Sequence, residues 1–435
     1  MGHMVNTESD YRLLQSRMDN HPLGAPCTPD LMKILRLIYP PDDAAIAKRM
    51  PMMPTSLDVL SRRLGMPSDK LRERLTRMAE RGALFDLEYK GQTYFSLPPV
   101  VVGFFENTFI RKRDDVPMAE LAHLFDDYLN EDVRFMRSLF QRQTQVFRPL
   151  VHEEAIPEKQ STEVLDWERA SSVVASASAI AVGLCQCHHI KSHQGNACGK
   201  PQEVCLQFNY AADMVIRLGQ ARPITAAQAM HILEDCKEKG LAQLSDNVQQ
   251  KVVAICNCCT CCCHVIKGIK DFKHHGGILS SNWTAQIDLP RCNGCGRCAR
   301  ACPMEAISVV EKEEGGRVRK WAVLNTDLCL GCGVCYSVCK TGGISMTSRD
   351  KRMLTPETVF DQLVMMAMER GKLANMIFYD PERLSHRVIG RLVSVLEKSP
   401  PSKAAMAIEP LRSAFLTTIV NGWKRRSGEL SEYLA

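Results

Sequence analysis

No run in this 435-residue sequence is apolar for long enough to cross a membrane. The most apolar stretch, SSVVASASAIAVGLC at 171–185, is shorter than the roughly 18 residues a spanning helix needs, and it is rich in serine. Residues 4–20 are polar and mixed in charge, so a secretory signal is not expected either. Net charge is small: 55 basic residues face 49 acidic ones, a balance of +6 that is too mild to argue for nucleic acid. No G-x-G-x-x-G follows a strand pattern and no P-loop is present, so no nucleotide or flavin site is evident. There is no C-x3-C-x2-C, the usual radical-SAM loop. A c-type haem attachment ending at His264 is excluded because position 260 is Thr.

What is present is cysteine, 20 residues of it. The densest stretch is ICNCCTCCCH at 255–264, where six of ten residues are cysteine. Such thiols can be disulfide-bonded, can hold a metal, or can be an accident of composition, which this density argues against. Hydrophobic content of 45% and charged content of 24% are ordinary for a globular protein, and the length suits two to four domains of roughly 100–200 residues. Cores of that size need no disulfide framework. The expected location is the cytoplasm, where thiols stay reduced and serve as metal ligands or catalytic groups.

Two runs define the class of metal. CNGCGRCARACP carries Cys292, Cys295, Cys298 and Cys302, and CLGCGVCYSVCK carries Cys329, Cys332, Cys335 and Cys339. Both follow C-x2-C-x2-C-x3-C, the bacterial ferredoxin spacing for a pair of [4Fe–4S] clusters. A loop with cysteines three apart wraps round one cubane and presents three thiolates, while the fourth cysteine points at the other cluster. The expected ligand sets are therefore Cys292, Cys295, Cys298 and Cys339 for one cluster, and Cys329, Cys332, Cys335 and Cys302 for the other. Between the runs, AISVV, Gly315-Gly316 and KWAVL read as a hairpin. Zinc is the competing occupant, but its sites use separated C-x2-C pairs more often than four cysteines in a row. The second run ends in Lys340 where the pattern has Pro, which changes the charge near its cluster without touching ligation.

A second cysteine field lies upstream. Cys185, Cys187, Cys198 and Cys205 precede a helical interval, ITAAQAMHILEDCKEKGLAQL, and Cys256, Cys258, Cys259, Cys261, Cys262 and Cys263 follow it. In an extended segment residues two apart face one way, so Cys185 with Cys187, and Cys256 with Cys258, can each grip one centre. Neighbours within 261–263 must diverge unless the chain turns. Irregular spacing suits a site closed by a distant segment, so at least one further iron–sulfur cluster is expected, with zinc as the alternative and a larger fused cluster left open. His188, His189, His193 and His264 are either ligands or the polar edging of the pocket.

The elements IAVGLCQCHH, ACGKPQEVCLQF and AICNCCTCCC, followed by two ferredoxin runs, resemble a family of 4Fe–4S dicluster, bacterial ferredoxin-like proteins of anaerobes. The resemblance covers roughly residues 150–350. It implies low-potential redox chemistry and, often, an N-terminal helical or winged-helix segment. Many members carry Arg after the C-x-C, where this chain has His188.

The ends carry less chemistry. TSLDVLSRRLG, DKLRERLTRMAERG with Leu71, Leu75 and Met78 on one face, and ALFDLEYKGQTYFSLPP read as helix, helix and β-wing. Lys70, Arg72, Arg74 and Arg77 on the second helix suggest DNA contact, but Asp69, Glu73 and Glu80 offset them, so a protein-contact domain is the preferred reading. Residues 100–150 read as aromatic-rich helices serving as packing or a partner surface. VHEEAIPEKQ at 151–160 reads as a linker. TPETVFDQLVMMAMERGK reads as a helix with a Thr cap and a Glu partner, and PLRSAFLTTIVNG as a second amphipathic piece.

The sequence thus predicts an α+β multidomain protein. The expected parts are a tag and N-terminal arm (1–27), a winged-helix-like domain (28–99), a helical connector and linker (100–160), a cysteine-rich α/β iron–sulfur domain (161–285), a two-[4Fe–4S] ferredoxin-like domain (286–350) and a helical C-terminal region (351–435). The expected function is electron transfer between protein redox partners, a donor and an acceptor, by a monomer or an oligomer, with DNA the less favoured partner. The alternatives are an iron–sulfur reductase acting at the extra cysteine site and a redox-responsive transcription regulator.

Overall fold

The computed structural model describes residues 7–131, 133–140, 144–271, 280–314, 317–377, 384–399, 417–419 and 421–422. Met1-Gly2-His3, the Gly315-Gly316 turn and most of PLRSAFLTTIVNG lie outside the described residues. The chain forms two compact units, one of Met1–Thr144, Met214–Ala221 and Glu357–Ala435, the other of Gln145–Asp213 and Arg222–Pro356. Helix and sheet are mixed, as an α+β composition requires.

In the first unit, Thr28 accepts the Leu31 N–H at 3.0 Å and caps helix Pro29–Ile38, which buries Leu31, Ile34 and Leu35. Helix Leu57–Leu64 ends at Gly65, whose φ of 67° suits the left-handed C-cap. Helix Ser68–Glu80 buries Leu71, Leu75 and Met78, one face of a 3.6-residue period. A small antiparallel sheet follows, with β1 (Thr55–Ser56) on β3 (Gln92–Ser96) and β3 on β2 (Phe85–Tyr89). Three of the basic residues read as DNA contacts are engaged within the unit. Arg72 donates to Thr93 Oγ1 at 2.9 Å, Arg74 lies 3.3 Å from Asp43, and Arg77 lies 3.5 Å from Glu73.

The aromatic stretch is core. Phe104, Phe105, Phe109 and Phe125 are buried, with ring centroids 5.3 to 6.1 Å apart along the Phe105–Phe125 and Phe105–Phe109 contacts. Helix Val359–Arg370 buries Phe360, Val364, Met366 and Ala367, so its methionines fill a core. Its cap differs from the expected one: Thr358 caps the helix, and Asp361 takes the reciprocal role that the sequence suggested for a Glu.

Asp86 is buried in this unit and its carboxylate is held by Arg217 at 2.6 Å. Replacing Arg217 by Ala should cost about 3 kcal/mol, the low end for orphaning a buried charge, because Arg217 is itself 30% exposed. Urea unfolding reads the loss; a change under about 1 kcal/mol would place the pair with ordinary surface ion pairs.

The second unit is built on a six-stranded antiparallel sheet of order β4-β8-β9-β6-β5-β7. The strands are β4 (Phe147–Pro149), β5 (Ile180–Gly183), β6 (Cys205–Phe208), β7 (Arg222–Pro223), β8 (Ala242–Asp246) and β9 (Ala254–Cys258). The apolar run 171–185 is divided between helix Ala170–Ser176 and β5, whose four residues are all buried. Buried Asp246 closes the β8–β9 connection by accepting the Val253 and Ala254 N–H groups, each at 3.1 Å. Helix Ala226–Glu238 carries a Thr225–Gln228 capping box and buries Ala229, Leu233 and Cys236.

Two further ribbons complete this unit. β10 (Trp283–Ile287) pairs with β13 (Ile344–Ser348), and β11 (Ile307–Glu314) pairs with β12 (Arg317–Leu324). Their core joins Trp283, Ile307, Ala322, Ile344 and Met346 to Cys298 and Cys335. The segment read as a linker is part of that core instead. Val151, Ala155 and Ile156 are buried in it, and the short helix Glu153–Ala155 turns the chain so that Ala155 and Ile156 face that core.

Candidate metal centres

The two ferredoxin runs fold around separate cavities. One is lined by Cys292, Cys295, Cys298 and Cys339. The other is lined by Cys302, Cys329, Cys332 and Cys335. Each takes three thiols from one run and the fourth from the other. The crossing arises because Cys302 and Cys339 lie beyond the short helices Arg297–Ala301 and Val334–Ser337, which carry the chain from one cavity to its neighbour. Gly331 has a φ of 75° and lies so close to the Trp283 carbonyl that a Cβ would collide with it; only glycine lets the loop tuck under β10.

Backbone N–H groups point at the sulfurs: Ala322 to Cys292 and Ala306 to Cys302, both at 3.3 Å. Burial pushes the Cys332 thiol up to about 12 and raises Cys335, Cys298 and Cys302. At Cys339 burial acts upward too, but the Thr341 hydroxyl and the backbone of 341–343 hold it below the usual thiol range. Buried thiols of this kind need a cation to become thiolates, and an iron–sulfur core supplies one. Donor set, cavity and N–H···S contacts all fit a cubane in each cavity.

The ten upstream thiols divide into two groups. Cys198, Cys259, Cys261 and Cys262 have sulfurs that all lie within 4.8 Å of one another. The other six are Cys185, Cys187, Cys205, Cys256, Cys258 and Cys263. On β9, Cys256 and Cys258 pair with Leu244 and Ala242 and face one way. Leu206 of β6 pairs with Ile255, so Cys205 emerges beside Cys256. Cys185 precedes helix Gln186–His193 and Cys187 sits in its first turn, while Cys263 precedes helix His264–Asp271.

The thiols of this second group interact in sequence: Cys205 with Cys256, Cys256 with Cys258, Cys258 with Cys263, Cys263 with Cys187 and Cys187 with Cys185. Donation from Cys205 and Cys258 holds Cys256 well below the usual thiol range, and donation from Cys187 and Cys258 does the same for Cys263. Cys187 is pushed well above it first by its bonds to Cys185 and Cys263, Cys205 by its bond to Cys256, and Cys258 by its bonds to Cys256 and Cys263, with burial adding to each. In the 261–263 run the turn sends Cys261 and Cys262 to one group and Cys263 to the other.

Cys236 belongs to neither group. It is fully buried against Val204 and Leu241, and burial pushes its thiol up to about 12. His188 is edging: its Nε2 lies 2.8 Å from the Cys198 carbonyl oxygen and 3.3 Å from the Cys198 sulfur. His189 and His193 face each other at 3.2 Å.

Some contributors carry no sequence signal. Gln186 and Gln207 donate to the Cys205 sulfur at 3.3 and 3.2 Å. The His152 N–H donates to the Cys332 carbonyl at 3.2 Å, and its Nδ1 lies 2.9 Å from Ser337 Oγ. Burial pushes this imidazole down to about 4, so it is neutral at physiological pH. It stands far from Cys332 in the chain, within the segment read as a linker.

Residues 291–343 match the family described as the 4Fe-4S dicluster domain, a match that spans both ferredoxin runs. That stretch is a ferredoxin-like iron–sulfur domain, set beside a cysteine-rich region in one unit of the protein. No curated protein and no solved structure matches the chain. Among the described residues, no helix is long and apolar enough to cross a membrane.

Proposed function

We propose that this protein is an electron relay in which the six-thiol group holds a further iron–sulfur centre behind the ferredoxin pair. Bound clusters supply one-electron chemistry; the chain fixes their order and their access to partners. The carrying observation is a short hydrogen-bonded route within the second unit. Asn257, between Cys256 and Cys258, pairs with Gln243 of β8. The Gln243 carbonyl accepts the Leu150 N–H at 2.9 Å, and two residues later the His152 N–H reaches the Cys332 carbonyl. A second link runs from Cys263 along helix His264–Asp271, where Lys270 pairs with Glu305 beside the Cys302 loop.

Both links lead to the cavity of Cys302, Cys329, Cys332 and Cys335. The other ferredoxin cavity carries the outer face: Cys295 is exposed there, whereas Cys332 and Cys335 are buried. Its surroundings include the exposed Arg291, Arg297, Arg300 and Lys340, a basic rim that suits an acidic redox partner. Electrons would pass between that partner and the six-thiol centre, with the Cys302 cavity between them.

Anaerobic purification with iron and sulfide counts and EPR tests the reading. More than about eight irons per chain, with signals beyond those of two cubanes, is the expected result. A chain saturated at about eight irons would leave the six thiols without a cluster and defeat the relay.

A further inference from the structure

We propose that Cys198, Cys259, Cys261 and Cys262 form a mononuclear zinc site, separate from every iron–sulfur centre of the protein. The argument is one of sulfur spacing. Cys198 lies 3.8 Å from Cys259 and 3.8 Å from Cys262, Cys261 lies 3.6 Å from Cys259, and Cys262 lies 3.9 Å from Cys261. Four thiolates at about 2.3 Å from one tetrahedral ion stand about 3.8 Å apart, since the edge of a tetrahedron is about 1.6 times its centre-to-corner distance. Four of the six sulfur–sulfur edges already have about that length, and the other two lie within 4.8 Å.

A cubane needs more room. Its thiolates bind four different irons, so each sulfur–sulfur edge is longer by a full iron–iron separation. Among the described residues no other three metal-ligating side chains come within 4.8 Å of one another, and that includes the ferredoxin thiols, which surround open cavities instead. The ferredoxin thiols thus stand at a wide spacing and these four at a narrow one, while the six thiols interact in pairs without any three of them closing to within 4.8 Å.

The surroundings also suit a closed thiolate site. The Cys262 N–H donates to the Cys259 sulfur at 3.4 Å, and the His188 Nε2 lies 3.3 Å from the Cys198 sulfur, the kind of outer contact that supports zinc thiolates. Four thiolates leave no open position, as in a structural site. Tetrahedral S4 also accommodates a single iron, but the divalent series places zinc above ferrous iron in affinity. The ion would staple the 198 loop to the 259–262 turn, which carries Cys258 and Cys263 of the six-thiol group on its flanks. The proposal rests on the reading that iron goes to the six-thiol group and the ferredoxin cavities, and the two are separable because one is counted in zinc and the other in iron.

The test uses the full chain, purified without oxygen from zinc-replete medium. One zinc per chain is expected, with an X-ray absorption shell of four sulfurs at about 2.3 Å. Cys261→Ser, at an exposed position, and Cys198→Ser should each lower bound zinc at least tenfold and leave iron and sulfide per chain unchanged. A wild-type protein without zinc overturns the proposal. So does a zinc shell with fewer than four sulfurs, or a Cys261→Ser variant that keeps its zinc or loses about four irons instead. If either variant fails to fold, the wild-type zinc count and absorption shell decide alone.

Discussion

Replacing Cys298 and Cys339 together by Ala should remove about four irons from the protein and leave the Cys302, Cys329, Cys332 and Cys335 site loaded. The two residues come from different runs, so a reading in which each run serves its own cluster predicts damage to both. The cavities argue otherwise: Cys298 and Cys339 line the same one, with Cys292 and Cys295. The matching pair, Cys302 and Cys335, lines the other. The Cys302/Cys335 double variant should therefore lose a similar amount of iron, while Cys298 combined with Cys335 should cost about twice as much. Iron per chain after anaerobic reconstitution reads all three. Equal losses from the three double variants would contradict the crossed sharing. Cys298 and Cys335 lie in the hydrophobic core and Cys339 packs partly buried against it, so each variant needs a folding control by circular dichroism.

The ferredoxin sites are legible in the sequence because their ligands are local. Three thiols of each set fall within seven residues, and a loop of that length has few ways to present them. The cysteine field is legible only as a field. Its groups draw on β6, β9, the start of helix Gln186–His193 and the turn before helix His264–Asp271, so membership depends on sheet register. One residue of slip in β9 would turn Cys256 and Cys258 away and present Cys259 in their place. Six cysteines in ten residues supply no mark of which is which. The turn at 259–263 does the sorting, and its geometry follows from tertiary packing.

The role of residues 151–160 was hidden for a related reason. VHEEAIPEKQ has the charge and the proline of a linker, yet three apolar residues hold it to the ferredoxin core. Its His152 contact with Cys332 is a backbone hydrogen bond, and any residue but proline could make it. Helices Leu57–Leu64 and Ser68–Glu80 were clear from their periodicity, whereas helix Thr7–Asp19, which buries Tyr11, Leu14 and Met18, lies in the stretch read as an arm. The partners of Arg72 and Arg74 were less so, since Thr93 and Asp43 lie outside the basic helix itself, while Arg77 pairs with Glu73 within it.

Changing Cys256 to Ala should abolish the third iron–sulfur centre and leave the ferredoxin pair intact, whereas Cys236→Ala should leave every metal in place. Cys236 is fully buried and Cys256 partly so, and each variant removes one thiol from the second unit. They differ in company. Cys256 stands between Cys205 and Cys258 in the chain of five contacts that joins the six thiols, and its thiol is held well below the usual range by donation from both. Cys236 packs on Val204 and Leu241 in a cluster that Cys185 and Cys259 also touch, and Cys185 raises it only through its charge, with no thiol hydrogen-bonding to it. If the six thiols bind a cluster, removing Cys256 breaks the group at one of its two strongly lowered thiols and leaves Cys205 beside Gln186 and Gln207. The expected readout is a fall in iron by about four or more per chain with the ferredoxin EPR signals retained. Cys236→Ala should cost about 1 kcal/mol of stability through the small cavity it leaves, with iron unchanged. Equal iron in the Cys256→Ala variant and the wild type would show that the six thiols are a buried cluster of free cysteines. Loss of ferredoxin iron from Cys256→Ala would show instead that the two parts of this unit fold as one, and the assignment of a separate centre would fail.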